Sequence, residues 1–316
     1  MSATIDPLGP FFSVVMPVYN AQEYVSRAIE SVFTQSDPDW ELVIIDDHST
    51  DRTPEILRDW ASRDARIRVV RNTENIKIAK SLNRGIESAR GKWIVRIDAD
   101  DFFTPVYLKK LRIHAENAPS PDYFFSSWIT VVDESSKKIL DVRLPGAERI
   151  RRMMKIENFL YHSATSFSKR LWQKVGGYPE DPTMAEDVGM WIRFFDHKAQ
   201  LAMIPQFLVN YRIHYSNNTS MNDAKLLEQT AGTAGWKTIR QNREWRISLY
   251  LKQKMLKLAR TEILLLARMQ KYLSLKNLQY FLLTFLPESF VYFFMWEFRP
   301  RFRAFLKNIR GRSIRV

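Results

Sequence analysis

Cysteine is absent from the 316-residue chain, so disulfides and thiolate metal sites are excluded. Glycine is scarce, with ten residues in all, and none stands in PVYNAQEY, the turn after the first apolar run. A dinucleotide fingerprint would need G-x-G-x-x-G there, and a P-loop would need a glycine-rich run ending in Lys and Ser or Thr. The glycine-rich basic loop expected of a nucleotidyltransferase is missing as well. Any phosphate must therefore be held largely by side chains and metal. Long apolar runs are also lacking: residues 278–298 come nearest, but Pro287 and Glu288 break them, and a span needs roughly twenty uninterrupted residues. MSATIDPLGP has neither a basic n-region nor an apolar h-region, so it does not read as a signal peptide. The expected location is cytoplasmic, peripheral on the inner face of the membrane.

Lys and Arg number 48 against 35 Asp and Glu, a net charge of +13. The excess is not spread evenly. Residues 236–316 hold 18 basic and 4 acidic side chains, whereas the preceding residues hold 30 and 31. A basic segment appended to a neutral body suits a polyanion such as nucleic acid or an anionic membrane.

The acids gather in particular places. KWIVRIDADDF carries a short apolar run, Trp93 to Ile97, that ends in Asp98, Ala99, Asp100 and Asp101. In an extended chain Asp98 and Asp100 project to the same side, with only an alanine between them. That pair suits a hard divalent cation, Mg²⁺ or Mn²⁺, sharing its remaining positions with phosphate oxygens. The plainer reading is that Asp100 and Asp101 only lead into a helix capped at Thr104 and Pro105.

Residues 11–19 read as a first buried strand, followed by helical spacing at Tyr24, Ala28, Val32 and Phe33. A second strand ends in Asp46 and Asp47, and Thr53, Pro54 and Glu55 announce a helix. Residues 67–70 are a third strand, 76–89 a helix, and the acidic strand is fourth. This alternation predicts an α/β fold, a Rossmann-like, mostly parallel sheet flanked by helices, with ligands beyond the carboxyl ends of the strands. Residues 122–143 read as two strands around a polar turn.

Further on, Thr183 and Glu186 stand at capping-box spacing before a helix carrying Val188, Trp191, Ile192 and Phe195. Glu186 thus has a structural reason to be there, and Asp187 has only the helix dipole. A last extended run delivers Tyr211, Arg212 and His214, the His a candidate metal or phosphate contact.

Six segments then resemble one family in its own order: VVMPVYN at 14–20, ELVIIDDHSTDRT at 41–53, SLNRGIESARGKWIVRIDADD at 81–101, KVGGYPED at 174–181, EDVGMWIR at 186–193 and YRIH at 211–214. Together they resemble the family 2 glycosyltransferases, inverting nucleotide-sugar enzymes of the GT-A fold. The resemblance implies that Pro17, Val18 and Tyr19 line the base pocket and that Asp46 or Asp47 accepts from the base or ribose. Asp98, Ala99 and Asp100 would meet the donor, with Asp98, Asp100 and His214 at the metal. Asp187 would be the general base that activates the acceptor hydroxyl. Glu186, Asp101, Asn83 and Arg193 are candidate supports. Position 48 departs from the pattern, with His where Gly or a small residue is common. Arg84 follows Asn83 in a stretch often occupied by small or polar residues, and QNREW at 241–245 is not the Gln-x-x-Arg-Trp of processive synthases.

The implied reaction moves a sugar from a nucleoside diphosphate, with uridine favoured, to a hydroxyl of a glycan or lipid-linked glycan in polysaccharide synthesis. A non-catalytic sugar-nucleotide-binding module and a nucleotidyltransferase are the alternatives. Residues 1–215 are expected to form the catalytic domain and 216–316 an α-helical extension. There Met255, Leu258, Leu265 and Met269 follow helical spacing, and aromatics and arginines crowd the end of the chain. An anionic membrane surface, a dimer interface and a small helical core are open readings of that region. Nucleic acid is not expected, since no binding motif accompanies the basic residues.

Overall fold

A computed structural model of the chain describes residues 9–154, 158–181 and 185–214. The C-terminal extension and its membrane, dimer and helical-core readings lie outside the described residues, as does Thr183.

Four strands, β1 (Phe12–Val18), β2 (Trp40–Asp46), β3 (Ile67–Arg71) and β4 (Trp93–Arg96), pair in parallel in the order β3-β2-β1-β4. Every residue of β1, β2 and β4 is buried, as strands covered on both faces must be. Helices α1 (Val25–Phe33), α2 (Thr53–Arg63) and α3 (Ile78–Ser88) supply the crossovers. In α2, Pro54 sits in the first turn, where its missing N–H costs nothing. Helix α3 lies so close to the sheet that a Cβ on Gly85 would come within 2.9 Å of Val15 and Ile45 side-chain atoms. This half matches the expected parallel architecture.

In the second half β5 (Phe102–Phe103), β6 (Tyr123–Val132), β7 (Lys138–Val142), β8 (Thr165–Ser168) and β9 (Gln200–Arg212) complete nine strands in the path β3-β2-β1-β4-β8-β6-β9-β5, with β7 on β6. β8 pairs antiparallel with β4 and β6, β7 with β6 and β5 with β9, whereas β6 and β9 run parallel, so the whole sheet is mixed. The two strands expected around the polar turn are β6 and β7. β8 was not legible in advance: it is TSFS, with a single large apolar residue. It is buried because it is wedged antiparallel between β4 and β6, where Phe167 pairs with Ile94 and Phe124.

Helices α4 (Tyr107–Glu116), α5 (Ala147–Met153), α6 (Lys169–Lys174) and α7 (Glu186–Asp196) cover this half. Helix α4 is preceded by Val106 at its N-cap, so Thr104 and Pro105 do not start it. The chain instead forms β5 directly after the acids. Helix α7 buries Met190, Trp191 and Phe194 completely, while Val188, Ile192 and Phe195 are only half-buried flanks. Phe124 stacks on Trp191 at 6.0 Å and packs on Phe194 at 5.1 Å. Burying Met190 and Phe194 is worth about 2–3 kcal/mol each, which fixes where the first turn of α7 points its acids. Its N-cap is Ala185, without a side-chain cap, which puts Glu186 at the first helical position. The capping-box reading of Thr183 with Glu186 does not hold for that reason.

Candidate active site

β4 ends at Arg96, and the chain turns at Asp98 to Asp101. Asp98 Oδ1 accepts from Arg96 Nη2 at 2.7 Å, and Oδ2 accepts from Ser163 Oγ at 3.0 Å. The Asp98 amide donates to the same hydroxyl. Asp100 Oδ2 lies 2.9 Å from His214 Nε2, which brings the residues just after β9 to the acidic turn. The side chains of Asp98 and Asp100 are 31% and 28% exposed, enough to meet a ligand. Ala99 between them is buried. Asp101 differs: it is wholly buried, and its Oδ1 accepts the Arg212 amide. It shapes the loop and has no open face for a donor.

A second wall comes from the turn His162–Ala164, the loop around Tyr178 and the start of α7. Asp187 Oδ1 accepts from the Val188 amide at 2.6 Å, and Oδ2 accepts from Asn158 Nδ2 at 3.1 Å. Burial raises its carboxyl above the ordinary range, and the charge of Asp98 pushes the same way. Glu186 is raised by burial and by Asp187, and stands 3.8 Å from His162 Nδ1. His162 is buried, lies 2.7 Å from the Tyr178 hydroxyl, and is pushed well below its usual pKa by burial and by Arg96. It stays a neutral imidazole.

Asn83 and Arg193 act on this wall from outside. Asn83 accepts the Tyr178 amide at 2.8 Å and donates to the Tyr178 carbonyl. Arg193 Nη1 donates to the carbonyls of Gly176 and Gly177, both at positive φ. Both residues clamp the GGY turn and hold Tyr178 against His162.

At the carboxyl end of β1, Tyr19 is 51% exposed, whereas Pro17 and Val18 are core residues. Only Tyr19 presents a face to a base. Asp46 and Asp47 are both buried and already engaged. Asp46 accepts from the Ser49 amide and lies 3.5 Å from Arg71. Asp47 accepts from Asn72 Nδ2 and from the amides of Ile76 and Lys77. Each sits where a strand meets a loop and satisfies loop N–H groups that lack other partners. His48, beside them, adopts φ 63°, which explains why glycine suits that position.

Sequence reasoning missed Arg96, Asn158, His162, Ser163 and Tyr178. None belongs to a spacing that marks chemistry, and each gains its place only when β8 and α7 close on β4. Among the described residues, no group of three His, Asp or Glu side chains is placed to hold a metal ion.

The sequence model of glycosyl transferase family 2 matches residues 13–176, more than half of the chain. The chain belongs to that family. This glycosyltransferase is 29% identical over 214 residues to the uncharacterized glycosyltransferase MJ1057 of Methanocaldococcus jannaschii, covering 66% of this chain and 73% of that one. It is 31% identical over 191 residues to EpsE of Bacillus subtilis, also described as a glycosyltransferase, covering 60% and 68%. Among solved structures, S. aureus TarS 1-349 in complex with UDP-GlcNAc resembles it with a TM-score of 0.55 at 17% identity, over 80% of this chain and 66% of that one. The match to a longer TarS chain spans 39% of that chain. The TarS likeness identifies the fold, which is of the GT-A type.

Proposed function

We propose that this glycosyltransferase moves a sugar from a nucleoside diphosphate, with uridine as the base, to a hydroxyl of a glycan or lipid-linked glycan, with inversion at the anomeric carbon. The reading is supported by the acids beyond β4 and at the start of α7: Asp98 and Asp100, the latter hydrogen-bonded to His214, and Asp187, whose carboxyl is raised by burial and also by the charge of Asp98. Support for the donor class comes from TarS, which was crystallised with UDP-GlcNAc and with UDP.

In this reading Tyr19 offers its exposed ring to the base, and the loops held by Asp46 and Asp47 frame the nucleotide. Asp98 and Asp100 would hold Mg²⁺ or Mn²⁺, with His214 beside them. Such a dication would supply stabilisation of the negative charge on the departing diphosphate. Asp187 takes the proton of the acceptor hydroxyl as that oxygen attacks, which requires the ionised carboxylate within hydrogen-bond reach. Asn158 and the Val188 amide keep one orientation of that carboxylate. Burial raises its pKa toward working pH, as a general base needs.

Membrane association through residues 216–316 is part of the proposal. Among the described residues no helix is long and apolar enough to cross a membrane. Co-sedimentation with anionic liposomes, compared with a chain ending near residue 275, tests it; equal binding by both counts against it.

The decisive experiment is a thermal-shift screen of nucleoside diphosphate sugars with and without Mn²⁺, followed by a transfer assay with the donors that bind. A shift that needs both uridine diphosphate sugar and Mn²⁺ supports the reading. Binding without turnover on any offered acceptor points to a sugar-nucleotide-binding module instead.

A further inference from the structure

β4 brings one more side chain to the site, from behind the acids. Arg96 is 1% exposed, and its Nη2 holds Asp98 Oδ1 at 2.7 Å. Its Nε and Nη1 have no hydrogen-bond partner. A buried guanidinium with two of its three nitrogens unpaired is costly. An apolar residue of similar length would pack there without that cost. Hydrogen bonding as such does not explain the residue, so its charge and its single directed bond are what the site keeps.

The surroundings show what that bond does. Ser163 holds Asp98 Oδ2 while Arg96 holds Oδ1, which fixes the carboxylate in one orientation, and its side chain stays 31% exposed. Asp100, Asp101, Glu186 and Asp187 are nearby acids, and an unanchored carboxylate among them would turn away from its like-charged neighbours. Arg96 is a permanent cation beneath them, whereas the adjacent His162 is held neutral. Being enclosed, the guanidinium cannot itself touch a donor.

We propose that Arg96 is a positioning residue for sugar transfer, holding Asp98 in the orientation that binds the metal and diphosphate together. The inference rests on the role assigned to Asp98 above. Arginine matters by its planar fork, and lysine keeps the charge but not that geometry.

The test is calorimetric titration of the full chain with UDP, with and without Mn²⁺. Arg96→Met should leave metal-free UDP binding within about twofold and cut the Mn²⁺-dependent gain about 10–100-fold, as loss of a ligand-orienting partner does. Arg96→Lys should regain much of that gain. Asp98→Asn should lose the gain, and Asp98→Asn with Arg96→Met should bind no worse than Asp98→Asn alone. Should Arg96→Met fail to fold, the double variant, which also lacks the uncompensated carboxylate, and Arg96→Lys decide the matter. Full gain in Arg96→Met, or a double variant about tenfold weaker than Asp98→Asn, overturns the inference alone. A full gain in Asp98→Asn overturns the assignment of Asp98 and the inference with it.

Discussion

The amide of Arg212 donates to Asp101 Oδ1 at 2.8 Å across 111 positions of sequence. This bond fastens the last residue of β9 to the acidic loop. Arg212 strengthens the joint through Nε to the Asp100 carbonyl and Nη1 to the carbonyls of Asp133 and Glu134. His214 reaches Asp100 because of it. Asp101→Ala strips the buried amide of its acceptor and should cost about 1–3 kcal/mol, whereas Asp101→Asn keeps an acceptor oxygen and should cost less. Denaturant midpoints measure both, and equal midpoints for the two variants would remove the joint from the account.

Asp187→Asn removes the carboxylate proposed as the base and leaves Asp98 and Asp100 in place. Turnover should fall about 10²–10⁴-fold with UDP affinity nearly unchanged. Steady-state kinetics beside calorimetry separates the two quantities. Wild-type turnover in this variant would transfer the base role elsewhere.

The pH profile follows from the same carboxyl. Burial raises the Asp187 pKa from 3.8, and only the ionised form accepts a proton, so kcat/KM should drop as the pH falls through that raised value. The acidic limb is expected above the ordinary aspartate range, about 4. A limb at or below that point means that another group sets the profile.

His162 works in the other direction, on stability. Its folded pKa is held well below 6.5 by burial and by Arg96, so below that pH the unfolded chain binds a proton that the folded one refuses. Stability contributed here is therefore lost as the pH drops. His162→Gln should flatten the fall in melting temperature between about pH 6.5 and pH 4.5, as read from melts across that range.

His48 holds a left-handed backbone at φ 63° and makes only a long 3.4 Å contact from Nδ1 to the Asn72 carbonyl. His48→Gly should relieve about 1 kcal/mol of strain, visible as a raised melting temperature. A lowered one would show that the imidazole contributes more than its backbone costs.

The parallel half of the fold was legible because its strands are continuous apolar runs and its helices carry their own start signals, such as Thr53 and Pro54. The second half, with its mixed pairing, was less so. TSFS has no pattern of its own and becomes a strand only because two neighbours offer it unpaired edges. Helix α7 was foreseen but its buried side was not, since Phe124 and Phe167 select Met190, Trp191 and Phe194 from a helix apolar on several sides.

The candidate site divides the same way. The run of acids just beyond β4 was enough to single out Asp98 and Asp100, and the helix start was enough to single out Asp187, although the acids lie in a turn and not on the extended strand that alternation assumes. Which carboxylates are free was a tertiary matter. Asp46, Asp47 and Asp101 look like their neighbours in sequence, yet in the fold Asp46 closes its own loop through the Ser49 amide, and Asp47 and Asp101 satisfy N–H groups that are distant along the chain. Arg96 belongs to that second class too, since only the packing of β8, the His162 turn and α7 around β4 encloses its charge beneath the acids. Local pattern determined the residues that carry charge, and long-range burial decided which of those charges remain available to a ligand.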